Sequence, residues 1–142
     1  MRPRPVLIAA LGLLLVLPAC SASSGEWTPL PSGVEPPAAC ARPDAEGVIA
    51  ISANQLKFDA PCMVAPADEG FVVHFTNLEA QPHDVAVYTD RSRETEITLG
   101  DTITGPNKTI DYPVDALAAG EYYYVCTIHP GTMNGALYAP AR

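Results

Sequence analysis

From residue 48 onward, the chain consists of short runs of β-branched and aromatic residues, each ended by proline, glycine or another turn-forming residue. Eight runs predict β-strands, at residues 48–52, 56–58, 71–77, 85–89, 102–103, 109–112, 121–126 and 136–139. A helical turn is expected at residues 115–119, and no longer stretch has the 3.6-residue period of an amphipathic helix. Short strands at this spacing predict an all-β, antiparallel sandwich of two sheets.

The last long predicted strand runs into a loop that is rich in metal-binding side chains. Cys126 ends that strand, and His129 and Met133 follow within seven residues, around a Pro-Gly turn. A thiolate, an imidazole and a weak axial thioether are ligands of a blue-copper site, which also requires a second histidine. His83, which follows the predicted strand 71–77, is the candidate for that position.

The order of these residues resembles that of the cupredoxins, small blue-copper electron carriers that share the motif His…Cys-x2-His-x(2–4)-Met. The resemblance extends over about residues 48–140. It implies a Greek-key β-sandwich that holds one type 1 copper ion. It also implies a role for each ligand, with His83 and His129 as imidazole ligands, Cys126 as the thiolate and Met133 as the weak axial ligand.

Other kinds of metal site fit the sequence less well. A structural zinc site uses four strong ligands, usually in two close pairs, whereas this chain offers one such pair and a methionine. The two-copper centre of oxidase subunits requires a second cysteine in the loop, and residues 127–133 contain none. His74 alternates with apolar neighbours in the predicted strand 71–77, so we expect its side chain to point outward rather than to bind metal.

Two features depart from the family pattern. The residue after the first histidine is often asparagine in cupredoxins, where it ties the two ligand loops together, and here it is Asp84. A carboxylate accepts a hydrogen bond from the Thr127 hydroxyl but has no amide N–H to donate, so the sequence leaves this connection open. The His-x3-Met spacing after Cys-x2-His matches neither plastocyanin nor amicyanin.

Length and charge limit what else the chain does. Its 142 residues leave room for one domain with a modest core. The formal net charge is −8, and removal of a leader with Arg2 and Arg4 leaves six basic against 16 acidic residues, a charge of −10. Nucleic acid is therefore not an expected partner, because binding it requires a basic surface. An acidic surface suits a basic redox partner, and it equally serves to keep a domain soluble.

The first residues are typical of an export signal. Two arginines precede an apolar run at residues 6–17, which is too short to span a membrane, so residues 1–19 are predicted to be a signal peptide. The following Leu-Pro-Ala-Cys, which ends at Cys20, resembles the lipobox of bacterial lipoproteins. This resemblance implies that Cys20 is lipidated and anchors the protein on the outer, periplasmic or cell-surface, side of the cytoplasmic membrane. Ordinary cleavage at about the same position is the alternative.

A segment that is poor in large apolar residues follows the signal. Residues 20–43 contain five prolines and the run Ser-Ala-Ser-Ser-Gly. Such a segment buries too little surface to order itself, and we interpret it as a tether between the membrane and a domain at residues 44–142.

Two cysteines remain outside the lipobox and the metal loop. In an exported chain, Cys40 and Cys62 are most simply a disulfide, which would contribute about 3 kcal/mol to stability. Two free, buried thiols are the alternative, because a sequence does not fix the distance between two cysteines.

Together these observations predict a monomeric, membrane-tethered copper protein that passes single electrons between redox partner proteins. No other base, nucleophile or substrate cleft is evident, so we do not expect an enzyme. One alternative is a lipoprotein that traffics or sequesters copper without electron-transfer turnover. Another is a cupredoxin-like accessory domain of a larger oxidase.

Overall fold

The computed structural model describes residues 35–141, which form nine β-strands and no helix. The strands are β1 Val48–Asn54, β2 Lys57–Phe58, β3 Cys62–Val64, β4 Phe71–Asn77, β5 Ala86–Tyr88, β6 Glu96–Leu99, β7 Lys108–Val114, β8 Gly120–Val125 and β9 Asn134–Ala139. One sheet has the order β2-β1-β4-β7 and the other the order β3-β9-β8-β5-β6. The predicted β-sandwich is confirmed. In this part of the chain, no helix suited to crossing a membrane occurs.

The core lies between the two sheets because alternate residues of each strand point inward. Along β4, Phe71, Val73 and Phe75 are buried while the residues between them are partly exposed. The largest fully buried side chain is Tyr124 of β8, whose hydroxyl donates a hydrogen bond to the Ala60 carbonyl at 2.7 Å. Burial of each large side chain of this kind stabilises the fold by about 1.5–3 kcal/mol.

The sheets are mixed rather than purely antiparallel, which corrects one detail of the prediction. β1 pairs with β4 in parallel, and β3 pairs with β9 in parallel, whereas the other strand pairs are antiparallel. The chain crosses into the second sheet at β3 and returns before β4. As a result, β4 enters beside β1 from the same end of the molecule.

The sequence pattern did not predict two of the strands, β3 and β6. β3 is only three residues long and lies between Pro61 and Pro66, and prolines in a sequence predict the ends of strands. β6 lies at a sheet edge and buries none of its residues fully, so its sequence lacks the expected alternation. A third difference is that β7 continues through Pro113, which an edge strand tolerates because it has one unpaired side.

Two predicted elements are wrong. The run 102–103 is not a strand but a single bridge between Ile103 and His83. Residues 115–119 do not form a helical turn, because Leu117 makes a bridge with Ala67 instead. Both segments use their backbone groups to join loops at the ends of the sandwich.

The first described residues pack against the domain. Cys40 and Cys62 form the predicted disulfide, with their Cα atoms 4.5 Å apart. Ala41 makes a parallel bridge with Met63, so residues 40–41 of the predicted tether contact β3. Cys20 and the predicted signal peptide lie outside the described residues.

Candidate metal centre

The candidate ligands meet at one end of the sandwich because β5 and β8 are neighbours. Ala86, the first residue of β5, pairs with Val125, the last residue of β8. The residues just before β5 therefore lie beside the residue just after β8. His83 and Cys126 occupy these two positions, 43 residues apart in sequence.

A buried asparagine shapes the loop that carries His83. The Asn77 side-chain amide donates hydrogen bonds to the carbonyls of Gln81 at 2.7 Å and Ile103 at 3.1 Å, and its Oδ1 accepts one from the Glu79 N–H at 3.0 Å. The main chains of His83 and Ile103 exchange two further hydrogen bonds. The buried side-chain nitrogen and oxygen of Asn77 both have hydrogen-bond partners, so this side chain holds the loop near both of its ends.

Backbone hydrogen bonds close the second ligand loop. The Cys126 N–H donates to the Met133 carbonyl at 2.9 Å, and the Met133 N–H donates to the His129 carbonyl at 3.0 Å. The Asn134 side chain donates to the Pro130 carbonyl at 2.9 Å. These contacts fold the seven residues after Cys126 back over the end of β8.

Three candidate ligand atoms come together in this pocket. The Nδ1 atom of His83 lies 3.8 Å from the Sγ atom of Cys126, and the Nδ1 atom of His129 lies 3.9 Å from the same sulfur. The two Nδ1 atoms are 3.2 Å apart. His83 and Cys126 are fully buried, and His129 is partly exposed. The three atoms thus lie within reach of a common point, and His129 is the one of the three residues that is partly exposed to solvent.

Met133 is fully buried and belongs to the same hydrophobic cluster as Cys126. His74 does not join the site. Its Nδ1 atom lies 2.6 Å from the Asp111 carboxylate on the outer face of β4 and β7, and 40% of its side chain is exposed. The outward orientation predicted for His74 is therefore confirmed.

The family model for copper-binding proteins of the plastocyanin/azurin family matches residues 45–139. This chain belongs to that family. It is a cupredoxin, as the resemblance implied.

Two auracyanins are among the solved structures that share this fold. A dithionite-reduced auracyanin from Roseiflexus castenholzii is 20% identical, with a TM-score of 0.58 over 69% of this cupredoxin and 100% of that chain. Auracyanin A, a "blue" copper protein from Chloroflexus aurantiacus, is 22% identical, with a TM-score of 0.57 over 65% and 97%. An amicyanin from Paracoccus versutus is 27% identical, with a TM-score of 0.48 over 68% and 83%. No curated protein matches the chain significantly.

The donor set of this cupredoxin fits its cofactor. One thiol sulfur and two imidazole nitrogens within 4.8 Å of one another, with a buried thioether in the same loop, are the donors of a type 1 copper site. The copper predicted from the sequence is thus supported by both the family and the donor chemistry. By its family and its donor set, the cupredoxin is an electron-transfer copper protein.

The surroundings of the Cys126 thiol have two opposing effects on its pKa. Burial raises the pKa of the thiol. Backbone N–H groups of Asp84, His129 and Ile128 donate toward the sulfur and act in the opposite direction. These N–H groups are fixed by the loops, so they are available to stabilise a thiolate once a metal replaces the proton.

Sequence reasoning missed Glu79, which contacts the site from behind. Its Oε1 atom lies 2.9 Å from the Nε2 atom of His83 and accepts a hydrogen bond from the Leu56 N–H, also at 2.9 Å. The Leu56 N–H, followed by the hydrogen bond with His83, lowers the pKa of the Glu79 carboxyl. No local pattern marks Glu79, because one partner comes from the β1–β2 hairpin and the other, although four residues away, lies in a loop that is not helical.

Proposed function

We propose that this cupredoxin carries single electrons at a copper ion held by His83 Nδ1, Cys126 Sγ and His129 Nδ1, with Met133 as the weak axial ligand. The observation that carries the proposal is the meeting of three donor atoms from two distant segments within 4.8 Å, two of them on fully buried residues. When bound, copper supplies a one-electron couple. No catalytic step on a substrate is part of the proposal.

Rigidity of the ligand loops supports electron transfer. An electron carrier must hold one ligand geometry that suits both oxidation states of the metal, because rearrangement of the ligands slows electron transfer. Here Asn77 fixes the loop before His83, and the Cys126–Met133 backbone hydrogen bond closes the other loop. Both loops start from packed strand ends, so the donor atoms have little freedom to move.

Exposed hydrophobic side chains at the metal end support contact with a partner there. The described residues include four large hydrophobic side chains that are exposed, namely Leu56, Leu78, Leu99 and Ile128. Ile128 adjoins His129, which is the ligand nearest to solvent. An exposed apolar side chain beside a partly exposed candidate ligand favours close, transient docking of a redox protein there.

A group of acidic residues lies away from the metal end. Exposed carboxylates cluster at the opposite end of the sandwich, where β1 and β4 begin and β7 ends: Asp44, Glu46, Asp68, Glu69, Asp115 and Glu121. A strand of six or seven residues separates that end from the metal by about 20 Å. We therefore propose that net charge attracts a basic partner at long range while the electron crosses at the apolar end.

Export and membrane attachment complete the proposal. We propose that residues 1–19 are removed, that lipidated Cys20 holds the protein at the outer face of the cytoplasmic membrane, and that the segment following it provides reach. The support is the sequence pattern at Cys20 and the disulfide, which fits an oxidising compartment.

The test is the visible spectrum of the copper-loaded soluble domain and of two variants. We expect one copper per chain and an intense thiolate-to-Cu(II) band that Cys126→Ser abolishes while the fold is retained. His74→Ala is the matched control and should keep the band, because His74 lies outside the site. Reversible one-electron cycling supports a carrier. Binding of Cu(I) with no coloured Cu(II) state would instead assign the protein to copper trafficking.

A further inference from the structure

The turn between β1 and β2 has an unusual backbone. Asn54 pairs with Lys57, so the loop between the two strands consists of Gln55 and Leu56 alone. Both have a left-handed backbone, with φ angles of 54° and 56°. Two-residue hairpin turns of this kind normally contain Asn-Gly or Asp-Gly, because side chains with a Cβ are strained there. A contact from outside the turn must therefore offset the backbone strain.

Glu79 makes the contact that holds this turn. Its Oε1 atom accepts the Leu56 N–H at 2.9 Å, and the Gln55 N–H also donates toward the carboxylate. The Glu79 main chain is fixed in turn by the buried Asn77, which accepts its N–H at 3.0 Å. The carboxylate therefore has a defined position between the hairpin and the loop that follows β4.

The same oxygen contacts the ring nitrogen of His83 that points away from the candidate metal site. The Oε1 atom of Glu79 lies 2.9 Å from Nε2 of His83, whose side chain is fully buried. A carboxylate only accepts hydrogen bonds, so in neutral His83 the proton must reside on Nε2. The other nitrogen, Nδ1, then presents its lone pair toward the Cys126 sulfur 3.8 Å away.

We propose that Glu79 is a positioning residue that selects the metal-binding tautomer of His83 and connects it to the β1–β2 turn. The inference deepens the proposed function and rests on His83 being a copper ligand. A carboxylate on the far nitrogen makes an imidazole a stronger donor, and removing such a partner typically weakens metal binding 10–100-fold.

The experiment measures two properties in the wild type, Glu79→Gln and Glu79→Ala. Nitrogen-15 NMR of the metal-free protein reports the His83 tautomer, and competition titrations give the dissociation constants for Cu(II) and Cu(I). We expect a single tautomer in the wild type and a mixture in Glu79→Ala. Glu79→Gln keeps an acceptor oxygen without the charge, so it should lie between the two. Glu121→Gln, on an exposed side chain of the far end, is the control.

For copper, Glu79→Ala should raise the dissociation constant for Cu(II) at least tenfold, and that for Cu(I) less. Each tenfold difference between the two effects corresponds to about 59 mV upward in the reduction potential. An unchanged tautomer and unchanged Cu(II) affinity in Glu79→Ala would overturn the inference.

A second variant separates positioning from simple support of the turn. Leu56→Gly relaxes the left-handed position and keeps the N–H. Added to Glu79→Ala, it should restore thermal stability without restoring Cu(II) affinity or the single tautomer. Full rescue of copper binding by Leu56→Gly would reduce Glu79 to a turn-stabilising residue and overturn the inference. If the wild type binds no copper, the proposed function fails, and the tautomer in the metal-free protein still decides the role of Glu79.

Discussion

Asp84 accepts two hydrogen bonds from Thr127. The Thr127 main-chain N–H donates to Oδ1 at 2.6 Å, and its hydroxyl donates to Oδ2. Asp84 is nearly fully buried and follows His83, while Thr127 follows Cys126. The connection between the two ligand loops, which the sequence left open because asparagine is replaced, is therefore made by a carboxylate.

This relationship predicts the effect of Asp84→Asn. Asparagine keeps the size of the side chain and accepts the Thr127 N–H, but it removes a negative charge beside the copper site. A nearby negative charge favours Cu(II), so the reduction potential of the variant should rise, by on the order of 60 mV for a tenfold change in the preference between the oxidation states. Voltammetry at pH 7 measures it.

The control for this prediction is Thr127→Val, which removes the hydroxyl and keeps the charge. It should lower the free energy of unfolding and leave the reduction potential nearly unchanged, since the Thr127 N–H still reaches Asp84. A potential that falls or stays constant in Asp84→Asn would show that the charge does not act on the metal.

The disulfide predicts a change in stability without a change at the metal. Replacing Cys40 and Cys62 by alanine should lower the free energy of unfolding by about 3 kcal/mol in urea titrations, because the unfolded chain regains freedom. The copper band should persist, since the bond lies at the edge strand β3. Peptide mapping without reductant should find the two cysteines linked. Two alkylated thiols in exported protein, or loss of the band in the variant, would contradict this.

The sequence predicted those parts of the fold that local pattern determines. The alternation in β4 and the aromatic run of β8 mark half-buried strands directly, and the spacing from Cys126 to Met133 marks a metal loop. Strand partners carry no such local mark. The parallel pairing of β1 with β4 depends on the whole path of the chain between them, so it was not predicted.

The site shows the same division between local and distant contacts. Candidate ligands follow from side-chain chemistry and order, so the sequence identified His83 and His129, which the structure brings together with Cys126. Glu79 was not identified, because its role arises from one hydrogen bond to a hairpin 23 residues away and another to a histidine four residues away outside any helix. A residue that contacts the far nitrogen of a candidate histidine ligand is recognised only from the three-dimensional structure.

Lipidation of Cys20 remains a prediction from the sequence, since that residue lies outside the described range. We expect processing immediately before Cys20, with a mass that includes acyl chains and a detergent-extractable membrane fraction. Cys20→Ala should leave the precursor unprocessed, whereas the control Ser21→Ala should be processed as the wild type. A mature protein that starts at another residue and carries no lipid would contradict the prediction.

The last prediction concerns Met133, the proposed weak axial ligand. An axial thioether is long and weak, so Met133→Gln should leave the His83, Cys126 and His129 donors in place and the protein coloured. The amide oxygen is a harder donor that favours Cu(II), and the reduction potential should fall, by on the order of 60 mV for a tenfold change in preference. Met63 is a matched control because it is also fully buried, but it lies in β3 away from the metal loop. Voltammetry should find the potential of Met63→Leu unchanged; if it moves there and not in Met133→Gln, Met133 serves only to pack the core.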